Sequence, residues 1–182
     1  NTITKAITQK SLKSLEDLGV HICPAQKKLL ACNDEGTGAM AEVEDIYELT
    51  CKQFYKDDFW INKAVVITGG GSIEKIDDVR CLSNFSSGKM ADALALAFYL
   101  KGANVTLITS KTDPNLAKKV KRIPATSSDD FYKALQANLS KDAYLFMCTA
   151  ISDYVPKEIL KGKLKKAELG DEWSLDLQKN RD

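Results

Sequence analysis

The chain has a single histidine, His21. One imidazole gives poor support to a zinc site, which needs several His or Cys ligands at set spacing. The five cysteines, Cys23, Cys32, Cys51, Cys81 and Cys148, are odd in number, and no two stand in C-x-x-C spacing. A disulfide framework is therefore not expected in a chain this long. The thiols read as reduced, most of them small buried hydrophobes, in a cytoplasmic protein. Excess charge is also missing. Against 26 Lys+Arg stand 25 Asp+Glu, a net charge of +1, so nothing global attracts nucleic acid or an anionic membrane. No apolar run is long enough to span a bilayer. No signal-peptide pattern precedes the first strand, and because the chain starts at Asn1 rather than Met, a lost upstream segment is expected. No internal repeat or low-complexity tract stands out.

What is present suffices for a core: 182 residues, 44% hydrophobic and 28% charged, the size of one domain or a domain plus a fragment. Residues 8–18 carry Leu12, Leu15 and Leu18 at helical spacing, with Gly19 ending the helix. Residues 20–23 read as a short strand. Residues 29–38, rich in small, polar and acidic side chains, read as a loop. Residues 42–55 read as a second helix, and Lys56-Asp57-Asp58 marks a boundary. A new unit then begins with the β-branched run Ala64-Val65-Val66-Ile67-Thr68, which reads as a buried parallel strand ending in a glycine turn. Residues 88–101 are helical, closed by Gly102. Residues 105–109 form the next strand, Ser128 opens a helix with Asp129 and Asp130 in its first turn, and residues 143–148 form another strand. Strand, helix, strand, helix, strand predicts a Rossmann-like parallel sheet with right-handed crossovers and flanking helices.

Several segments could carry chemistry. The turn Gly69-Gly70-Gly71-Ser72 follows the first strand, where glycines let backbone amides approach phosphate oxygens. It is neither a dinucleotide fingerprint, since Glu74 stands at the last glycine position, nor a G-x-x-x-x-G-K-[ST] loop; a tight turn is the plainer alternative. The polar run from Ile76 to Met90 precedes a helix. Ser86, Ser87 and Gly88 sit where helix amides lack partners, Asn84 can donate and accept, and Arg80 could grip a carboxylate or phosphate. An N-cap beside a solvated loop explains the same residues. Ala150 and Asp153 follow a strand, where ligands of open α/β sheets bind; Asp153 could meet a base or ribose, or simply cap a turn. The run Lys161-Gly162-Lys163-Leu164-Lys165-Lys166 is either a solvated face or a hinged segment that closes on a triphosphate. Cys32 lies among acids, which hold a thiol neutral, so it fits a proton donor or an ordinary half-buried cysteine.

Together these motifs resemble one family. Ile76-Asp77-Asp78-Val79-Arg80, Ser83-Asn84-Phe85-Ser86-Ser87-Gly88-Lys89-Met90, Ala150-Ile151-Ser152-Asp153-Tyr154 and Lys163-Leu164-Lys165-Lys166 occur in order, as in bacterial bifunctional phosphopantothenoylcysteine decarboxylase/phosphopantothenate–cysteine ligases. Upstream, the stretch from Ala31 through Cys32 to Glu42 is similar to the decarboxylase substrate flap, and Asn1-Thr2 to the end of its substrate-recognition motif. The resemblance implies that residues 1–57 are the C-terminal part of a decarboxylase-like, partly flavodoxin-like α/β domain. It implies that residues 58–182 are the N-terminal, nucleotide-binding part of a ligase domain. Such ligases use CTP and Mg²⁺ to activate 4′-phosphopantothenate as an acyl-cytidylate, which cysteine then attacks; the decarboxylase uses FMN.

By position, Asn84 would serve the acyl intermediate, Lys163 would neutralise phosphate charge, and Cys32 would be the decarboxylase proton donor. Gly69, Gly70, Gly71, Ser72, Ser86, Ser87, Gly88 and Ala150 would shape the triphosphate site, with Asp153 on cytosine, while Arg80 and Asn1 would meet substrate. A homo-oligomer is implied for the intact parent. Departures exist: Ala91 stands where many members have glycine, Asn33 replaces the flap glycine, and Gly70-Gly71-Ser72 varies the usual turn. The piece is expected to be catalytically incomplete. A nicotinamide-dependent reductase would also explain a glycine turn, but Tyr154 is followed by Glu158 where that chemistry wants lysine. A non-catalytic nucleotide-binding module is the remaining alternative.

Overall fold

The computed structural model describes residues 2–29, 35–111, 114, 116, 119–165 and 170–181. The chain divides into two compact units, Asn1–Tyr55 and Lys56–Asp182.

The first unit holds α1 (Ala6–Asp17), β1 (Gln26–Leu29), β2 (Glu35–Ala39) and α2 (Val43–Tyr55). Gly19, at φ 83°, ends α1 in the left-handed conformation that glycine adopts without strain. Two expectations fail here. Residues 20–23 form no strand; they precede β1, and Val20 stays exposed without a ladder. Residues 29–38 are not simply a loop, because β1 and β2 pair antiparallel with Leu29 opposite Glu35 and Gln26 opposite Ala39. The ribbon is held by backbone hydrogen bonds between polar strands, so it has no apolar alternation to betray it.

The second unit is built on the parallel sheet β7-β6-β3-β8, from β3 (Ala64–Gly69), β6 (Asn104–Thr109), β7 (Lys121–Pro124) and β8 (Tyr144–Met147). Helices α3 (Lys89–Leu100) and α4 (Ser128–Asn138) supply the crossovers. Side chains alternate across a strand, and this fixes which helix covers which face. Val65, Ile67, Val105 and Leu107 pack with Ala91 and Ala95 of α3. Val66 and Ile108 pack with Phe131 of α4. With both faces covered, β3 reads as an unbroken apolar run. Beside this core, Trp60 sits against Phe59, Phe98 and Tyr144 with ring centroids about 5 Å apart in edge-on pairs.

Ser127 caps α4: its side chain accepts from Asp130 N while the Asp130 carboxylate accepts from Ser127 N, a reciprocal capping box. Two antiparallel pairs lie outside the sheet, β4 (Ile73–Lys75) with β5 (Cys81–Ser83) and β9 (Tyr154–Pro156) with β10 (Leu177–Lys179). Among the described residues no helix is long and apolar enough to cross a membrane.

Candidate functional site

The strand order places β6 and β8 on opposite sides of β3, and the chain reaches them through helices on opposite faces. The carboxyl ends of β3 and β8 therefore flank a topological switch point, where open α/β sheets bind ligands. Gly71 bridges Ala150 there, Ala150 N donates to Gly70 O at 2.9 Å, and Ser72 N donates to Ala150 O at 3.1 Å. Ser152 N donates to the buried Ser72 Oγ at 3.0 Å. These bonds lock the glycine turn to the segment after β8.

The glycines are required by space. Gly70 has φ 84°, and a Cβ there would overlap Ser110 Oγ. A Cβ on Gly71 would come within 2.9 Å of the Asn84 carbonyl oxygen, and one on Gly69 would overlap the Ala91 methyl in the first turn of α3. Gly88, the N-cap of α3 at φ 78°, lies against Gly70 backbone and supplies no capping side chain. Lys89 N, the first amide of α3, reaches Ser87 Oγ at 3.5 Å; Gly88 caps none of the amides that follow, and this helix start opens beside the turn, a donor arrangement suited to an anion.

Asn84 leaves the base of the β4–β5 hairpin. Its Nδ2 donates to Ala150 O at 3.3 Å and Ile151 O at 3.1 Å, and Ser83 Oγ donates to Ser72 O at 2.7 Å. Gly69, Gly70, Gly71, Ser72, Asn84, Ser86, Ser87, Gly88 and Ala150, which the resemblance grouped, stand together at one edge. Sequence reasoning passed over Ser110 and Lys111. Ser110 Oγ donates to Gly71 O at 2.8 Å, and Lys111 Nζ donates to Ser86 O at 3.3 Å, setting an ammonium beside the helix N-terminus. Their position just after β6 was the available signal. Thr149 Oγ1, just past the end of β8, is shut from solvent with no hydrogen-bond partner among the described residues.

The other predicted residues stand elsewhere. Asp153 is exposed at a cleft of about 760 Å³ lined by α4, the end of β8, β9 and β10. Its carbonyl accepts from Asn180 N at 2.7 Å. Arg80 stands at the tip of the hairpin rather than its base, and the segment carrying Lys163 bonds to that tip through Gly162 and Leu164. The Arg80 guanidinium pairs with Asp77 at 2.8 Å, donates to Leu164 O at 2.7 Å and lies 4.9 Å from the Trp173 ring centroid. Asp77 is buried, which alone would raise its pKa. The amides of Val79, Arg80 and Leu164 and the Arg80 charge outweigh burial and hold it at about 2. Glu74 is used structurally: it is buried and accepts from Ser128 N at 2.9 Å, which explains why this position is not the glycine of a dinucleotide loop. Asn1, Cys32 and Lys166 lie outside the described residues. No group of three or more His, Cys, Asp and Glu among the described residues could hold a metal.

Fold and site together define a doubly wound α/β protein with a glycine turn and a helix N-terminus beside it at the switch point. A family model described as the C-terminal domain of DNA/pantothenate metabolism flavoproteins matches residues 60–182, and a flavoprotein model matches residues 1–55. The chain belongs to the DNA/pantothenate metabolism flavoprotein C-terminal domain family. It is 37% identical over 178 residues to the coenzyme A biosynthesis bifunctional protein CoaBC of Haemophilus influenzae, covering 98% of this chain and 44% of that protein. Its likeness to the same-named protein of Vibrio vulnificus is 37% over 175 residues, 96% of this chain and 43% of that one. A crystal structure of the C-terminal domain of a CoaBC protein superimposes with a TM-score of 0.55 at 30% identity, over 67% of this chain and 56% of that one. The chain thus spans less than half the length of these curated relatives.

Proposed function

We propose that the second unit is the nucleotide-binding half of a CTP-dependent phosphopantothenate–cysteine ligase of coenzyme A biosynthesis, and that residues 1–57 end a phosphopantothenoylcysteine decarboxylase. The observation that carries this reading is the convergence of the glycine turn, the α3 N-terminus and Asn84 at one switch point, in a chain 37% identical to CoaBC.

In this reading the 4′-phosphopantothenate carboxylate attacks the α-phosphorus of CTP, and the bond to pyrophosphate breaks. The cysteine amine then attacks the acyl carbon, gives up a proton, and CMP leaves. The turn amides and the first amides of α3 take phosphate oxygens, and Lys111 and Lys163 balance the charge that develops on them. Asn84 is tethered through Nδ2 to two carbonyls, and its Oδ1 would serve the acyl centre and the incoming amine. Asp153 meets the cytosine. Mg²⁺ would come with the nucleotide, bound mainly by its phosphates.

The decarboxylase segment has less to work with. Neither α1 nor α2 buries a side chain within this unit, and FMN in the decarboxylase half is supported by the flavoprotein match over residues 1–55. The test is mass spectrometry after mixing the protein with labelled 4′-phosphopantothenate, CTP and Mg²⁺. The reading expects a CTP-dependent acyl-cytidylate that releases CMP on adding cysteine. Absence of both products refutes it.

A further inference from the structure

The described part of the lysine run, residues 161–165, is docked through its backbone. Leu160 N donates to Ile76 O at 3.0 Å. Gly162 N then donates to Asp78 Oδ2 at 3.0 Å, and Leu164 N donates to Asp77 Oδ2 at 3.3 Å. Two neighbouring carboxylates therefore hold the amides on either side of Lys163. Arg80 closes the arrangement by donating to Leu164 O.

Asp77 is itself fixed, since Val79 N and Arg80 N donate to its Oδ1 at 2.8 and 2.7 Å. The tip of the β4–β5 hairpin is thus stiffened by the carboxylate that grips the lysine segment. The base of the same hairpin carries Asn84 and is tied to the glycine turn through Ser83 and Ser72. Three residue pairs separate tip from base, about 10 Å at the usual strand rise. The Lys163 side chain is exposed, so its backbone is held while its ammonium can reach outward.

We propose that Asp77 and Asp78 are positioning residues for Lys163, and that the hairpin is a rigid spacer setting the lysine's distance from the Asn84 end of the site. The inference rests on the ligase reading, in which Lys163 acts on the triphosphate. Holding the backbone beforehand removes the ordering that a loose lysine loop would need each time it closed. Asp77 is also part of a buried ion pair, so its loss strikes the fold as well. Asp78 is exposed and tests the proposal cleanly.

The experiment uses Asp78→Ala, Asp78→Asn and Lys163→Gln in this chain, with hydrogen exchange and with titration of CTP and of cytidine. In Asp78→Ala the Gly162 amide should exchange at least about 10-fold faster while β3 amides are unchanged, since one hydrogen bond is lost locally. CTP affinity should fall about 10-fold, or about 1.4 kcal/mol, with cytidine affinity unchanged. Asp78→Asn keeps an acceptor oxygen and should restore most of both. Asp78→Ala should add nothing to Lys163→Gln. Equal loss for CTP and cytidine would reveal a merely structural role and overturn the proposal, as would unchanged exchange or unchanged CTP affinity in Asp78→Ala. If Lys163→Gln leaves CTP affinity intact, or the wild type binds no CTP, the ligase reading of the lysine fails first, a result distinguishable from failure of the clamp alone.

Discussion

Gly69→Ala is a perturbation whose cost can be worked from the packing. Gly69 ends β3 with ordinary φ, so only space decides the outcome. A methyl there would overlap the Ala91 Cβ, with Ala91 Cα at 3.8 Å and Thr109 Oγ1 at 3.6 Å. Ala91 is 1% exposed and sits in the first turn of α3, so it cannot swing aside. The helix start must lift off the strand, an overpacking cost of about 1–3 kcal/mol. At about 4 °C per kcal/mol for a unit of this size, the midpoint should fall by about 4–12 °C.

The second arm of the cycle is Ala91→Gly, which removes a buried methyl and puts glycine in a helix, together costing about 1–2 kcal/mol. In the double variant the overlap is gone and only about 1 kcal/mol of destabilisation should remain. Additivity would give about 3.5 kcal/mol, so a coupling of about 2.5 kcal/mol is expected, inside the range for touching residues. Thermal and urea unfolding followed by circular dichroism measure it. A Gly69→Ala midpoint within about 1 °C of the wild type, or additivity within about 0.5 kcal/mol, would refute the claim that strand end and helix start are in contact.

Asp77 gives a pH prediction. Its carboxyl is held at about 2 against an ordinary 3.8, so its contribution to stability is present above the ordinary value and is lost as pH falls through the folded one. Unfolding free energy should drop between about pH 4 and pH 2 in the wild type and less steeply in Asp77→Asn; parallel pH curves would show that the carboxylate is not held as described. Lys163→Gln should depress acyl-cytidylate formation by about 10-fold or more, the scale of one charge-assisted contact made in the transition state. Unchanged turnover would return the lysine run to a solvated face.

The parts of the fold that could be read in advance are those with a strong apolar period. β3, β6, β8, α3 and α4 all cover or are covered by the sheet, and their boundaries fall within a residue or two of the expectation. β7 reads Lys-Arg-Ile-Pro and stands at the edge of the sheet, where polar residues and proline are tolerated and no pattern marks a strand. The β4–β5 and β9–β10 pairs are too short for a period. The β9–β10 pair also joins residues far apart in sequence, which local patterning cannot see.

At the site, the glycine turn and the Asn84 loop were legible because each must sit at a strand end. The clamp on Lys163 was not, because its partners are separated by more than eighty residues. The resemblance named Arg80 and Lys163 as ligand-facing residues, while the structure binds Arg80 to Asp77, Leu164 and Trp173.

The nucleotide site itself can be tested on this chain by differential scanning calorimetry with CTP and with ATP. Free CTP at 100 times its dissociation constant should stabilise the second unit by about 2.7 kcal/mol, raising its midpoint by about 10 °C. ATP at the same concentration should raise it by far less. Equal shifts with the two nucleotides would contradict cytosine recognition, and no shift with either would contradict the nucleotide site at the end of β3.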